Sequence, residues 1–125
     1  MPKILVIEDD EMLRTIYTSV LTKENFTVEA ASTGKEGLAV AESFGPDLII
    51  LDMLMPEMDG LEFLREYDLK NKHPEVKVIV FSNVTSGDRI TEAVDLGAVN
   101  YKTKALFSPK EMIGLIRDTL TTNGL

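Results

Sequence analysis

Two four-residue runs, Ile4-Leu5-Val6-Ile7 and Leu48-Ile49-Ile50-Leu51, contain no polar side chain. A strand with one wet face alternates polar and apolar residues. A run without alternation therefore predicts a strand covered on both faces, as in a parallel sheet packed between helices. Segments of helical spacing separate such runs along the whole chain, the pattern of repeated βαβ units. Five strands are expected, over residues 4–7, 26–31, 47–51, 76–81 and 99–102.

The intervening helices carry their own start and stop signals. Asp10 or a neighbour is placed to cap a first helix with Leu13, Ile16, Tyr17, Val20 and Leu21 inward. Thr33 and Glu36 suggest a capping box before a second, which carries Leu38, Ala41 and Phe44 and stops at Gly45-Pro46. A third, over 61–69, presents Leu61, Phe63, Leu64 and Tyr67 and ends before His73-Pro74. A fourth runs from about Asp88 to Gly97, a natural left-handed cap. Ser108-Pro109-Lys110-Glu111 opens the last, which buries Met112, Ile113, Leu115, Ile116 and Leu120. Residues 121–125 are polar and expected to fray.

At 125 residues and 44% hydrophobic content the chain suits one domain, residues 1–125. Without cysteine it has no disulfide, thiolate metal site or thiol nucleophile. A net charge of -8 argues against direct contact with nucleic acid or a membrane surface, leaving proteins and small cations as partners. The apolar run after Met1-Pro2-Lys3 is too short for a secretory or membrane segment, so a cytoplasmic location is expected.

Both apolar runs end in acid, the first in Glu8-Asp9-Asp10 and the second in Asp52. On neighbouring strands these carboxylates meet at one sheet edge. Two unit charges ~4 Å apart repel by roughly 4 kcal/mol at an effective dielectric of about 20, so the cluster calls for a hard cation. Ligands of such sheets bind beyond the carboxyl ends of the strands, and there Ser82 follows the fourth strand and Lys104 the fifth. Asp10 is better explained by a helix N-terminus than by metal. Met53, Met55 and Met58 read as packing, because thioethers prefer soft metals, and His73 reads as an exposed structural residue.

Ile4 to Asp10, Leu48 to Gly60, Val78 to Ser82, and Gly97-Ala98 followed by Tyr101 and Lys104 together resemble the receiver domain of bacterial two-component response regulators, in a single-domain, CheY-like form. The resemblance implies a flavodoxin-like, doubly wound α/β fold with a five-stranded parallel sheet in the order 2-1-3-4-5 and five helices. It implies that Asp52 accepts a phosphoryl group, that Glu8, Asp9, Asp52 and the Met53 backbone carbonyl hold Mg²⁺, and that Lys104 and Ser82 contact the phosphoryl oxygens. Ser82 and Tyr101 would form the switch that remodels the surface of the fourth helix, fifth strand and last helix. The implied partners are a sensor histidine kinase or phosphotransfer protein and a downstream protein target. The implied protein is a monomer or a weak phosphorylation-dependent dimer, and no enzyme beyond its own phosphorylation and dephosphorylation. No output segment follows the last helix, so a separate protein would receive the signal unless the chain is a fragment.

Departures from that pattern carry their own expectations. Ala105 stands where proline usually follows the lysine, and a cis bond without proline costs about 3 kcal/mol, so a trans peptide is expected. The segment from Lys104 to Pro109 is one residue longer than is common, which predicts an altered loop. Asn83 would slow small phosphodonors, and apolar Leu54 and Val84 would slow loss of the phosphoryl group. A phosphate-independent interaction scaffold is the alternative function. A flavin carrier is opposed by the anionic first loop, and a haloacid-dehalogenase-type phosphatase by Leu54, where a second aspartate is required. Thr33-Gly34-Lys35-Glu36-Gly37 is no phosphate-binding P-loop.

Overall fold

The computed structural model describes residues 1–83 and 86–122; the reading of Val84 and that of the tail past 122 lie outside the described residues. The five expected strands form, as β1 (Lys3–Ile7), β2 (Thr27–Ala31), β3 (Leu48–Leu51), β4 (Lys77–Ser82) and β5 (Asn100–Thr103). They make one parallel sheet in the order β2-β1-β3-β4-β5, as the resemblance implied. The apolar runs lie at its centre because each residue of them faces a helix layer. Leu5, Ile7, Ile49, Leu51, Val78 and Val80 pack into one core, and Ile4, Val6, Leu48, Ile50, Ile79 and Phe81 into the other.

The helices are α1 (Glu11–Lys23), α2 (Gly34–Phe44), α3 (Gly60–Tyr67), α4 (Leu69–Lys72), α5 (Gly87–Asp95) and α6 (Pro109–Thr122). Ala41 of α2, four large side chains of α3, Leu69 of α4 and Ala93 of α5 fill the first core. Tyr17 and Leu21 of α1 and Met112, Ile113 and Ile116 of α6 fill the second. The expected third helix is interrupted. Asp68 adopts a left-handed conformation, φ 53°, closes α3 through its N–H to the Leu64 carbonyl, and starts the single turn α4. Among the described residues the sheet thus carries five longer helices plus that one turn.

The caps are specific. Asp10 accepts from the Leu13 N–H at 3.0 Å, and Ser108 and Glu111 exchange two hydrogen bonds of 3.1 and 3.0 Å in the predicted capping box. Thr33 accepts from the Glu36 N–H at 3.0 Å, but the Glu36 carboxylate reaches back to Ser32 rather than Thr33. Ile16 is a correction: it sits at the edge of the α1 stripe and is 38% exposed, while Tyr17 and Leu21 take the centre. Two registers matter for the site, Ile7 beside Leu51 and Ser82 beside Thr103.

Candidate functional site

Pairing of β1 with its two neighbours continues one residue past the strands. The Asp52 N–H donates to the Ile7 carbonyl at 2.9 Å, and the Glu8 N–H donates to the Ala31 carbonyl at 3.1 Å. Both acids are therefore fixed at the backbone, and both are buried, at 2% exposure for Glu8 and 4% for Asp52. Asp9 stays at the surface. One carboxylate oxygen from each of Glu8, Asp9 and Asp52 lies within 4.8 Å of the others.

Two cations hold this acidic edge in place. The Lys104 Nζ lies 2.6 Å from Glu8 Oε1 and 3.2 Å from Asp52 Oδ1. The 3-10 turn Lys104–Leu106 follows β5 directly, and every described peptide bond is trans, as expected for Lys104-Ala105. The longer segment therefore still delivers the ammonium to the carboxylates. Arg14 works from α1, donating from Nη1 to the Glu8 carbonyl at 2.8 Å. It belongs to no motif; its place one helical turn past the acidic loop is the only sequence signal for it. The second Glu8 oxygen accepts from the Asp10 N–H at 3.1 Å.

Ser82 is fully buried and lines the same cleft, of about 290 Å³, with Asn83, Leu54 and Leu13. Tyr101 is half-buried on β5, near enough to Ser82 for that hydroxyl to act on its phenol. Burial pushes the phenol up, against the Ser82 hydroxyl and the Arg89 charge, which lower it. The two switch candidates are thus neighbours on adjacent strands. The Met53 carbonyl has a backbone partner. It accepts from the Gly60 N–H at 2.8 Å, and the cleft is lined by Leu54 instead of Met53. The Met53 side chain is buried in the core, whereas Leu54 is exposed. Met55 and Met58 also pack with that core, as read. His73 is half-buried, not exposed, because its ring stacks on Tyr67 at 4.0 Å.

Charge crowding dominates the chemistry. Burial, then the Glu8 charge, pushes the Asp52 carboxyl up to about 7, although the Lys104 charge opposes this. Burial acts to lower the Lys104 ammonium, but the Glu8 hydrogen bond and the Asp52 charge outweigh it and raise the group. Arg14 bonds to the backbone, so one ammonium sits on the carboxylates themselves and leaves the three undercompensated. Three hard oxygen donors with that deficit fit a small dication such as Mg²⁺.

The family model for the response regulator receiver domain matches residues 4–117. The chain belongs to that family. Among curated relatives, the response regulator protein VraR of Staphylococcus aureus is 32% identical over 119 residues, covering 94% of this chain and 56% of that protein. The "Probable transcriptional regulator ycf27" of Porphyridium aerugineum is 36% identical over 118 residues, covering 94% and 48%. The receiver domain therefore spans about half the length of the curated relatives it matches. Among solved structures, a CheY-like receiver domain protein from Methanospirillum hungatei superposes with a TM-score of 0.91 at 28% identity, covering 98% of this chain and 95% of the other. The chemotaxis protein CheY4 of Vibrio cholerae gives 0.86 at 27%, covering 94% and 98%. The receiver fold and a place in two-component signalling follow. Among the described residues no helix is long and apolar enough to cross a membrane.

Proposed function

We propose that this receiver domain is a phosphorylation-activated switch in which Asp52 takes a phosphoryl group from a sensor histidine kinase or phosphotransfer protein. The observation that carries this reading is the convergence of Glu8, Asp9 and Asp52 within 4.8 Å, with the Lys104 ammonium 3.2 Å from Asp52. Glu8, Asp9 and Asp52 would hold Mg²⁺, and Leu54, which lines the cleft, suits the backbone ligand better than the engaged Met53 carbonyl. When bound, the ion supplies the charge neutralisation that lets an anionic acceptor meet an anionic phosphoryl group.

The chain's own residues do the rest. An ionised Asp52 oxygen attacks phosphorus in line while the donor's bond to phosphorus breaks and its electron pair leaves with the donor. Lys104 then trades a carboxylate contact for a phosphoryl oxygen, and the Ser82 hydroxyl donates to another. Because Ser82 and Tyr101 are neighbours on β4 and β5, moving the hydroxyl would redirect the aromatic side chain. This couples chemistry at Asp52 to the surface formed by α5, β5 and α6, where a downstream protein would read it.

In this reading the domain works in the cytoplasm as a monomer or a weak phosphorylation-dependent dimer, with no enzymatic role beyond its own phosphate cycle. The apolar Leu54 at the cleft supports slow loss of the phosphoryl group, and Asn83 beside Ser82 supports slow use of small donors. The phosphate-independent scaffold draws its support from the longer segment after Lys104, yet that segment keeps its ammonium on Asp52. Incubation with acetyl phosphate and Mg²⁺ followed by Phos-tag electrophoresis tests the choice. A retarded band for the wild type that is lost in Asp52→Asn is expected; a band that persists in the variant rejects Asp52 as acceptor.

A further inference from the structure

A second concavity lies at the other end of the sheet. It is a groove of about 620 Å³ between α2 and α3, where the chain enters β3 and β4. We propose that this groove docks a basic segment of a partner protein that carries an aliphatic anchor. The proposal stands independently of the phosphoacceptor reading, since no residue is shared with the Asp52 cleft.

The floor is apolar: Ala41, Pro46 and Val76 are buried in it. A volume of this size suits side chains rather than an ion. The rim is acidic. Glu42, Glu66 and Glu75 are all exposed, and none has an ion-pair partner among the described residues. Elsewhere on the surface Glu92 and Glu24 are paired, with Arg65 and Arg117. These rim carboxylates do not converge as metal ligands do, since the one group of that kind among the described residues is Glu8, Asp9 and Asp52.

One wall is the stacked pair Tyr67 and His73, with ring planes only 4° apart. The Tyr67 phenol is pushed up to about 12 by burial, with the Glu75 charge adding to it, so that carboxylate acts across the groove wall. An apolar floor, a flat aromatic wall and an excess of negative charge complement aliphatic and cationic side chains held side by side. Nucleic acid and anionic lipid are repelled by the same rim. A second copy of this chain fits poorly, because each carries a net charge of -8.

Titration of the ¹⁵N-labelled full chain with a blocked peptide of alternating leucine and arginine tests this. Amide signals of Ala41, Gly45 and Val76 should shift. Binding should weaken by about fivefold or more in Glu66→Gln/Glu75→Gln, in 0.5 M salt, and with serine replacing leucine, about 1 kcal/mol in each case. A glutamate-leucine peptide should give no shift. The proposal is overturned if there is no shift at about millimolar peptide, a regime of only roughly 4 kcal/mol. It is equally overturned by shifts centred on Glu8 and Asp52, by any of the three changes having a smaller effect, or by concentration-dependent shifts without peptide, which would make a second copy the occupant.

Discussion

Asp52 sets the strongest expectation for a single residue. Its carboxyl titrates near 7 in the metal-free fold against 3.8 ordinarily, so the folded state keeps a proton that the unfolded chain gives up. Unfolding free energy should then fall as pH rises from about 4 to about 7 and stay low above it, by on the order of 1–4 kcal/mol. Urea midpoints at pH 5 and pH 8 without Mg²⁺ measure this, and Asp52→Asn should flatten the difference and stabilise the protein at pH 8. Lys104 competes with a metal for the same oxygens. Lys104→Met should therefore tighten Mg²⁺ binding several-fold by calorimetry while slowing acetyl phosphate labelling, the opposite signs separating it from simple misfolding. Most of these side chains were legible because each closes or follows an apolar run. Arg14 and the Met53 carbonyl were not, since a backbone contact and the direction of a peptide group leave no residue signature.

At the level of elements, the entrance to α3 matters most. Asp59 accepts from the Glu62 N–H at 2.8 Å, and the Glu62 carboxylate returns a bond to the Asp59 N–H. Arg89 of α5 approaches the Asp59 carboxylate at 3.8 Å. Asp59→Ala should cost about 1–2 kcal/mol in denaturant melts, and Asp59→Asn, which keeps the cap and loses the charge, less than half of that. A Cβ on Gly60 would lie 2.8 Å from the Asp52 carbonyl oxygen and 3.0 Å from the Met53 Cα. Both are backbone atoms that cannot step aside. Gly60→Ala should cost roughly 1–3 kcal/mol and, by displacing the segment that aims Asp52, slow labelling by about tenfold or more. The sequence marked Asp59-Gly60 only as a loop; the capping box was readable from Asp59 and Glu62, and the close approach was not. Nor was the break at Asp68, where helical spacing continues through a left-handed residue.

For the molecule as a whole, a cation bound only by the folded state must raise stability with its concentration, by about 2.7 kcal/mol at 100 times Kd. Thermal melts at pH 8 should climb with Mg²⁺ in the wild type, and hardly at all in Glu8→Gln/Asp9→Asn. The class of fold, the strand positions and the placing of acids at strand ends were determined by the sequence alone, because burial on both faces and abrupt polarity changes are local properties of a chain. How Lys104 reaches Glu8 across the sheet, the nearness of Ser82 to Tyr101 and the acidic groove at the far edge were decided by tertiary structure. Each joins residues distant in sequence, and their distances follow from pairing and packing that no local pattern encodes.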